Sequence, residues 1–493
     1  MIFLVLHRIN DGYIRLCTRL LVVALLVLIS APAFAAQLSF KPSLELSETY
    51  TDNVVLLRNS GEEDLITEIN PGFALKTEGN RLNANLGLTL QNLFYVKDSS
   101  RNARYHDLMA DASAELISDF AFLNLRASDS QRAISPSGGL AKDNLNTTDR
   151  ADISVWLINP HFKNRFGGKA EGAASYSYEE IRNDGLGVSD ATIETIQVGL
   201  KSGPFFRRMT WSLGYSQEIT KRNEASNYSK ESSVAEGSYR VYKKLGVLFR
   251  AGSERNDLVT SQNGSYYAGG IRIVPHSTFR IDLLSGNRLD EISISWVLTS
   301  RSAVDILWRN QKVGQNPGKV WQGTLRLINR RIVWRASYLE ETTSVQGLQS
   351  SEPSSQSDQS QPGNAFSSEC SLSNGLFVRK RAQTDFGYKT AKSLVSVALH
   401  GERREFEANF DEKSRGGTVS WRWHFATRTT MLLSFHGSKN ECSGSGRSRD
   451  TELSFSRKMG LGMEGYAIAQ NKSGNGLRSY DENRLSVGVK WHF

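Results

Sequence analysis

The chain has 493 residues, of which 39% are hydrophobic, with a mean hydropathy of −0.39 and a formal net charge of +9. So low an apolar content argues against a thick buried core, and no stretch after residue 36 offers the roughly 18 consecutive apolar residues of a membrane-spanning helix. The positive balance is either scattered surface charge or an electropositive surface that attracts polyanions.

The first element is a secretory signal. Arg15 and Arg19 precede an apolar run at 20–29, and Ala33, Phe34 and Ala35 supply a small-x-small cleavage site. This pattern predicts a signal peptide at 1–35 and an exported domain at 36–493.

Segments in which apolar and polar residues alternate follow one another along the exported part. At 82–90 every even-numbered residue is apolar, while Asn83, Asn85 and Thr89 lie between them. A period of two predicts a strand with one apolar and one wet face, long enough when tilted to cross a bilayer. Similar segments occur at 38–46, 65–75, 108–116, 153–157, 209–215, 247–251, 267–273, 279–283, 292–298, 332–338, 395–399, 419–425 and 461–469.

The last segment, 485–493, repeats the pattern, with Leu485, Val487, Val489 and Trp491 alternating with polar residues up to Phe493. A strand ending on an aromatic residue is typical of the closing strand of an outer-membrane barrel. We therefore predict an all-β fold, a large antiparallel transmembrane β-barrel of about 20–24 strands in the bacterial outer membrane.

The connections between segments alternate between short and long, which predicts short periplasmic turns and longer external loops. The longest break, 342–381, contains at 346–361 a tract of mostly Ser, Gln, Gly, Asp and Pro, a composition that does not order itself. We expect it to be an external loop, with 377–381 either strand or short helix. Cys370 lies in this loop and Cys442 in another external loop, so the two could form a disulfide, stay free or pair between molecules.

If the apolar face is assigned to lipid, the other face lines the lumen. Seven arginines then point inwards as candidate ligand-binding residues: Arg250, Arg272, Arg280, Arg309, Arg326, Arg335 and Arg422. Asp282, Asp305, Glu402 and His424 point inwards by the same rule. Guanidinium groups bind carboxylate or phosphate through two donors, so the lumen could attract an anionic polymer. Alternatively, the arginines pair with acidic residues across strands and only stabilise the water-facing inner surface of the barrel.

Catalytic candidates are His400 with Glu402 and Ser420 with His424, which share strand faces. No nucleophile motif accompanies either pair, and no phosphate-binding glycine loop or zinc-ligand spacing occurs. We expect neither an enzyme nor a metal or cofactor site. Nucleic acid is not expected as a partner, because the protein is exported and its arginines are dispersed.

Several strand-and-loop phrases resemble those of the outer-membrane β-barrel proteins associated with PEP-CTERM/exosortase systems and exopolysaccharide loci. They lie at 44–54, 67–72, 99–106, 114–120 and 402–406. The resemblance covers most of the exported part, and the 346–361 tract departs from it as an insertion. It implies a role in producing or exporting an extracellular polysaccharide and carries no catalytic signature.

Together these observations predict a passive conduit or accessory for exopolysaccharide, gated by external loops that fold inwards or by a periplasmic export component. Its other expected partners are membrane lipid and the barrel-assembly machinery. The alternatives are an outer-membrane enzyme, such as a lipase, deacylase or glycan-modifying enzyme, and a structural or adhesive barrel.

Overall fold

The computed structural model describes residues 37–56, 61–133, 150–184, 188–223, 225–257, 262–351, 375–406, 411–441, 445–460, 462–475 and 479–493. They contain 24 strands in one sheet, and each strand pairs antiparallel with its neighbours along the chain. β1 also pairs with β24, from Ser43 opposite His492 to Thr51 opposite Arg484. The sheet is therefore a closed barrel, which confirms the predicted fold class. The predicted signal peptide lies outside the described residues.

The strands are bounded as follows: β1 Gln37–Thr51, β2 Asp64–Glu78, β3 Leu82–Tyr95, β4 Ala103–Ile117, β5 Ala121–Ala133, β6 Arg150–Phe166, β7 Ala170–Asp184, β8 Ala191–Ser202, β9 Met209–Arg222, β10 Tyr228–Tyr242, β11 Leu245–Asn256, β12 Gly264–His276, β13 Phe279–Asn287, β14 Leu289–Thr299, β15 Ser302–Gln311, β16 Gly318–Ile328, β17 Ile332–Ser344, β18 Leu376–Lys389, β19 Ser393–Phe406, β20 Asp411–Ala426, β21 Thr429–Glu441, β22 Ser445–Gly460, β23 Met463–Asn475 and β24 Tyr480–His492. A short 3-10 helix, Ser99–Arg101, follows β3, and one α-helix, α1 (Val345–Ser351), follows β17.

The two faces of the wall differ as the alternation predicts. On β24, Leu485 and Val487 are 53% and 55% exposed on the outer face, whereas Glu482 and Arg484 are buried on the inner face. Closure leaves no strand edge unpaired, which is the condition for strands to cross hydrocarbon. Within the described part of the chain, no helix combines the length and apolar character needed to cross a membrane.

At the end of the barrel where β1 begins and β24 ends, the connections are short turns, for example 243–244, 277–278 and 427–428. The opposite end carries longer connections, for example 52–63 and 345–375, and is the external end by the usual orientation of such barrels. One external connection departs from this pattern, because Arg288 alone, at φ 62°, joins β13 to β14. The strands on this flank, β13 to β16, have nine to eleven residues, whereas β6 has 17.

The predicted loop at 342–381 is too long. Thr342 pairs with Val378 and Ser344 with Leu376, so β17 and β18 extend into it and 377–381 is strand. Nor is the Ser/Gln tract wholly irregular, because its first residues lie in α1.

The interior of the barrel is packed towards the external end. On β24 the inward residues change from buried at Tyr480 and Glu482 to half-buried at Lys490 and exposed at His492. β2 shows the same gradient, from buried Asp64 and Ile66 to exposed Lys76. The periplasmic half of the lumen is therefore the part most accessible to solvent.

An apolar cluster lies inside the external half. It joins β6, β7 and β8 to α1, β18 and β19 and consists of Ile153, Val155, Ile181, Val188, Ile193, Val345, Leu348, Phe377 and Phe406. The expectation that apolar alternate residues face lipid is therefore wrong for Ile153 and Val155, which are buried inwards because α1 covers them.

Candidate functional site

Four of the seven inward arginines form ion pairs with acidic residues of the inner wall. Arg272 binds Asp282 through two donors, at 2.7 and 2.9 Å, and Arg280 lies 3.6 Å from the same carboxylate. Arg250 and Arg309 both donate to Glu291, at 2.6 and 2.8 Å. These four arginines neutralise acidic groups of the wall, as the second alternative from the sequence predicts.

Arg326 and Arg335 differ from these four. They are register partners on β16 and β17, so two guanidinium groups lie side by side on the inner face. Both residues are exposed to the lumen. Among the described residues, no carboxylate comes within ion-pair distance of either. Like charges directly opposite each other destabilise a sheet, so an anion held between the two guanidinium groups would be stabilising.

A cavity of about 400 Å³ lies against this pair, in the periplasmic half of the wall. Asp305 and Asp385 also line it, together with Thr324, Ser337 and Gln383. Asp385 is the register partner of Arg335, and Asp305 accepts a hydrogen bond from Ser295 at 2.6 Å. The cavity therefore offers two strong cationic donors beside carboxylate, hydroxyl and amide acceptors.

This combination suits an acidic sugar. A carboxylate or sulfate group can accept from the two guanidinium groups, while ring hydroxyls donate to Asp305 and Asp385. The site is open and contains equal numbers of Arg and Asp, so an anionic group there would meet both attractive and repulsive charges.

Arg422, the seventh candidate, lies on the inner face of β20 between Leu394 and Leu432 of the neighbouring strands. A second arginine cluster, near the external end, was not predicted from the sequence. There, buried Glu402 accepts from Arg379 at 3.0 Å and from Arg404 at 2.7 Å. Residue 379 lay in the predicted loop at 342–381 and was assigned to no face, and Arg404 lies beyond the alternating segment at 395–399.

Helix α1 crosses the interior at the external end. Ser344 caps it by accepting from the Gly347 N–H at 3.1 Å. Gln349 donates to Asn183 at 2.6 Å, Ser350 donates to Glu179 at 2.5 Å, and both acceptors are on β7. β7 is ten strands away from β17 around the barrel, so the helix joins two widely separated parts of the wall.

The packing of α1 is tight. Val345, Leu348, Gln346 and Gln349 are each no more than 2% exposed, and Gln346 donates to the Ser189 carbonyl at 3.2 Å. Seven residues do not form a stable helix alone, so α1 depends on these contacts. It is the element that narrows the external mouth.

The two candidate catalytic pairs are not assembled as catalytic pairs. Glu402 is occupied by arginines, and His400 Nε2 has no hydrogen-bond partner among the described residues. Ser420 shares a hydrogen bond with Ser396 at 2.5 Å, and His424 bonds to Thr430 at 2.9 Å.

The two cysteines, Cys370 and Cys442, lie outside the described residues, as does most of the predicted low-complexity tract. In the described ranges, no group of three His, Cys, Asp or Glu residues could hold a metal ion.

No protein-family model matches the chain, and no curated protein matches it. The FrpB iron transporter from Neisseria meningitidis aligns over 92% of this chain and 81% of its own, with 9% identity and a TM-score of 0.47. The siderophore receptor PirA from Pseudomonas aeruginosa aligns over 92% and 80%, with 8% identity and a TM-score of 0.41. A loop-deletion mutant of OmpT, an outer membrane protein of Vibrio cholerae, aligns over 93% and 100%, with 9% identity and a TM-score of 0.31. These similarities are too low to transfer any activity to this chain.

The chain's own architecture places it among outer-membrane β-barrels. Its wall is closed, its outer face is apolar and its inner face carries charged residues that are paired or in contact with solvent.

Proposed function

We propose that the barrel is a passive outer-membrane conduit for an exopolysaccharide that carries acidic groups. The observation that carries the proposal is the pair Arg326 and Arg335, two exposed guanidinium groups beside a cavity on the inner wall. The resemblance of the strand-and-loop phrases to barrels of exopolysaccharide loci supports a polymer as the solute.

In this mechanism the polymer enters from the periplasm, where the lumen is most accessible. Its acidic groups exchange between water and the two arginines, so the barrier to a charged chain falls. The neighbouring aspartates oppose tight binding, so that the chain can move on. Helix α1 narrows the path at the external end, and passage requires it to move away from β7.

Deletion of the gene tests the proposal in cells. We expect polymer to accumulate in the periplasm, and the wild-type gene to restore secretion. A gene carrying R326E and R335E should restore the barrel to the membrane but restore secretion only in part. A matched variant, R272Q, alters an arginine already bound to Asp282 and should restore secretion fully.

Normal secretion by the deletion strain would contradict the proposal. Loss of secretion that requires His400 or His424, with turnover of glycan or lipid by the purified protein, would favour an enzyme. Normal secretion together with loss of cell adhesion would favour a structural barrel.

A further inference from the structure

The outer face of β20, β21 and β22 carries a continuous apolar belt. Val419, Trp421, Trp423 and Phe425 form it on β20, and Phe435 and Phe455 continue it on the two following strands. All six are at least 38% exposed, on the side of the wall away from the lumen. This belt marks the depth at which the three strands contact hydrocarbon.

Directly beyond the belt, towards the external end, the same face becomes basic. Arg415, Lys439 and Arg447 are register partners on three adjacent strands. Arg449 lies one outward position nearer the belt, in register with Gly437, and Lys413 lies one outward position farther from it. We call these five residues the basic rim patch.

The charges of this patch are only partly neutralised within the protein, because Glu441, the register partner of Lys413, is one carboxylate among five cations. Two acidic residues share its face, and both are occupied: Asp411 accepts from Arg403 at 2.5 Å, and Glu441 pairs with Lys439. Lys413, Arg415, Arg447 and Arg449 are exposed, and none of the four has an ion pair within the described part of the chain. Adjacent like charges on neighbouring strands repel, so the patch as it stands costs stability.

Several outward-facing cations elsewhere near the external end are paired. Lys221 donates to Glu194 at 2.7 Å, Lys380 to Glu405 at 2.9 Å, and Arg182 lies 2.6 Å from Glu180. Arg255 on β11 and Lys319 on β16 are also exposed without an ion pair in the described residues, but they lie five strands apart. What distinguishes β20 to β22 is that their cations adjoin one another on neighbouring strands.

The surface beside the patch is recessed. Gly437 occupies an outward position between the belt and the cations, and Gly401 lies in register with Arg415. Gly401 has open space where a Cβ would be, and Gly437 has only the Ser448 carbonyl nearby, at 3.9 Å. A group lying on these glycines would touch the apolar belt on one side and the cations on the other. This position corresponds to the headgroup layer of the external leaflet.

We propose that the basic rim patch binds the phosphate groups of an anionic glycolipid in the external leaflet. Arg415, Arg447 and Arg449 hold the phosphates through charge-assisted hydrogen bonds, and the acyl chains lie along the tryptophans of the belt. The site is on the outside of the wall, so it does not depend on what passes through the lumen.

The test uses the full-length barrel in nanodiscs and diphosphorylated lipid A as the probe. Bound lipid is measured by native mass spectrometry, and affinity by quenching of tryptophan fluorescence with a labelled lipid. The triple variant R415Q/R447Q/R449Q should bind about tenfold more weakly or worse, because removing each charge-assisted hydrogen bond weakens binding several-fold. The control variant K221Q removes a paired outward cation and should bind as the wild type does.

Lipid A stripped of phosphate should bind the wild type as weakly as lipid A binds the triple variant, and high salt should weaken only the phosphorylated form. Heat-modifiable migration on gels shows that each variant is folded, and R415Q alone serves if the triple variant is not. Equal binding by folded variant and wild type would overturn the proposal. So would equal binding of phosphorylated and dephosphorylated lipid, displacement by millimolar inorganic phosphate alone, or a preference of the patch for a soluble polyuronate over lipid A.

Discussion

Arg326 and Arg335 are the residues on which transport selectivity should depend. Two fixed positive charges at the wall raise the local concentration of anions in the periplasmic half of the lumen. We expect R326E/R335E to shift the reversal potential of the channel towards cation selectivity in planar bilayers under a salt gradient.

Charge and geometry can be separated at the same two positions. R326K/R335K keeps the charge but loses the two-donor geometry, so ion selectivity should stay as in the wild type. Unchanged selectivity in the charge-reversed variant would show that these side chains do not face the ion path.

At the residue scale, the stability of the external loops that contain Glu63 and Asp98 should depend on pH. Hydrogen bonds from the Ser100 hydroxyl and backbone N–H lower the pKa of Asp98, and a hydrogen bond from Lys97 lowers the pKa of Glu63. A lowered carboxyl pKa stabilises the folded loop above the ordinary pKa of about 4, and this contribution is lost as pH falls through the folded value.

We therefore expect the protection factor of the Ser100 amide, which corrects for the intrinsic exchange rate, to stay constant between pH 5 and 8. It should fall below about pH 4. Hydrogen exchange followed by mass spectrometry measures this. In D98N the loss of protection should already be present at pH 7. A loss between pH 8 and 5 would implicate a histidine instead.

At the scale of elements, α1 is the proposed constriction of the external mouth. Replacing buried Leu348 by Asp puts a charge into an apolar cluster, which costs several kcal/mol, more than a seven-residue helix can tolerate. We expect L348D to raise single-channel conductance while the barrel itself stays folded.

The matched variant is L348M, which conserves volume and costs less than about 1.5 kcal/mol. Its conductance should equal that of the wild type. If L348D conducts no better than L348M, then α1 is not the constriction.

The strands show which parts of the fold the sequence could predict. Within the membrane, one face is apolar, and the period of two identified segments such as 82–90 and 419–425. Beyond the belt both faces are polar, so the pattern vanishes although the strand continues. On β20, Glu412 and Ser414 are buried inside while Lys413 and Arg415 are exposed outside, although all four lie before the segment 419–425 that the alternation identifies.

Helix α1 was missed for a related reason. A tract rich in Ser and Gln has too little apolar surface to order itself, and the helix gains its order from a wall ten strands away. Residue spacing carries no information on such a contact. Likewise, alternation indicated the inward face of Arg250 but could not show that Glu291, three strands along, would be its partner.

At the scale of the whole molecule, the central claim is that each strand has a lipid face and a lumen face. Adjacent positions on the closing strand test it. V487R puts a charge on the lipid face and should cost about 2–4 kcal/mol of unfolding free energy if it lies near the bilayer midplane. S486R points inwards and should cost about 1 kcal/mol, for the hydrogen bond that Ser486 shares with Thr49.

Urea unfolding in liposomes compares the two variants. Equal losses, or a larger loss for S486R, would show that the faces are assigned the wrong way round at β24.

The uneven wall has a consequence for how the molecule sits in its bilayer. A strand of nine residues at β13, joined to β14 by Arg288 alone, has barely enough length to traverse hydrocarbon, while the 17 residues of β6 extend well above it. Either the surrounding lipid becomes thinner at this flank or the axis of the barrel leans towards it. In both cases the extracellular opening is oblique and lowest at β13 and β14, so a polymer exported as proposed above would be released sideways, close to the cell surface.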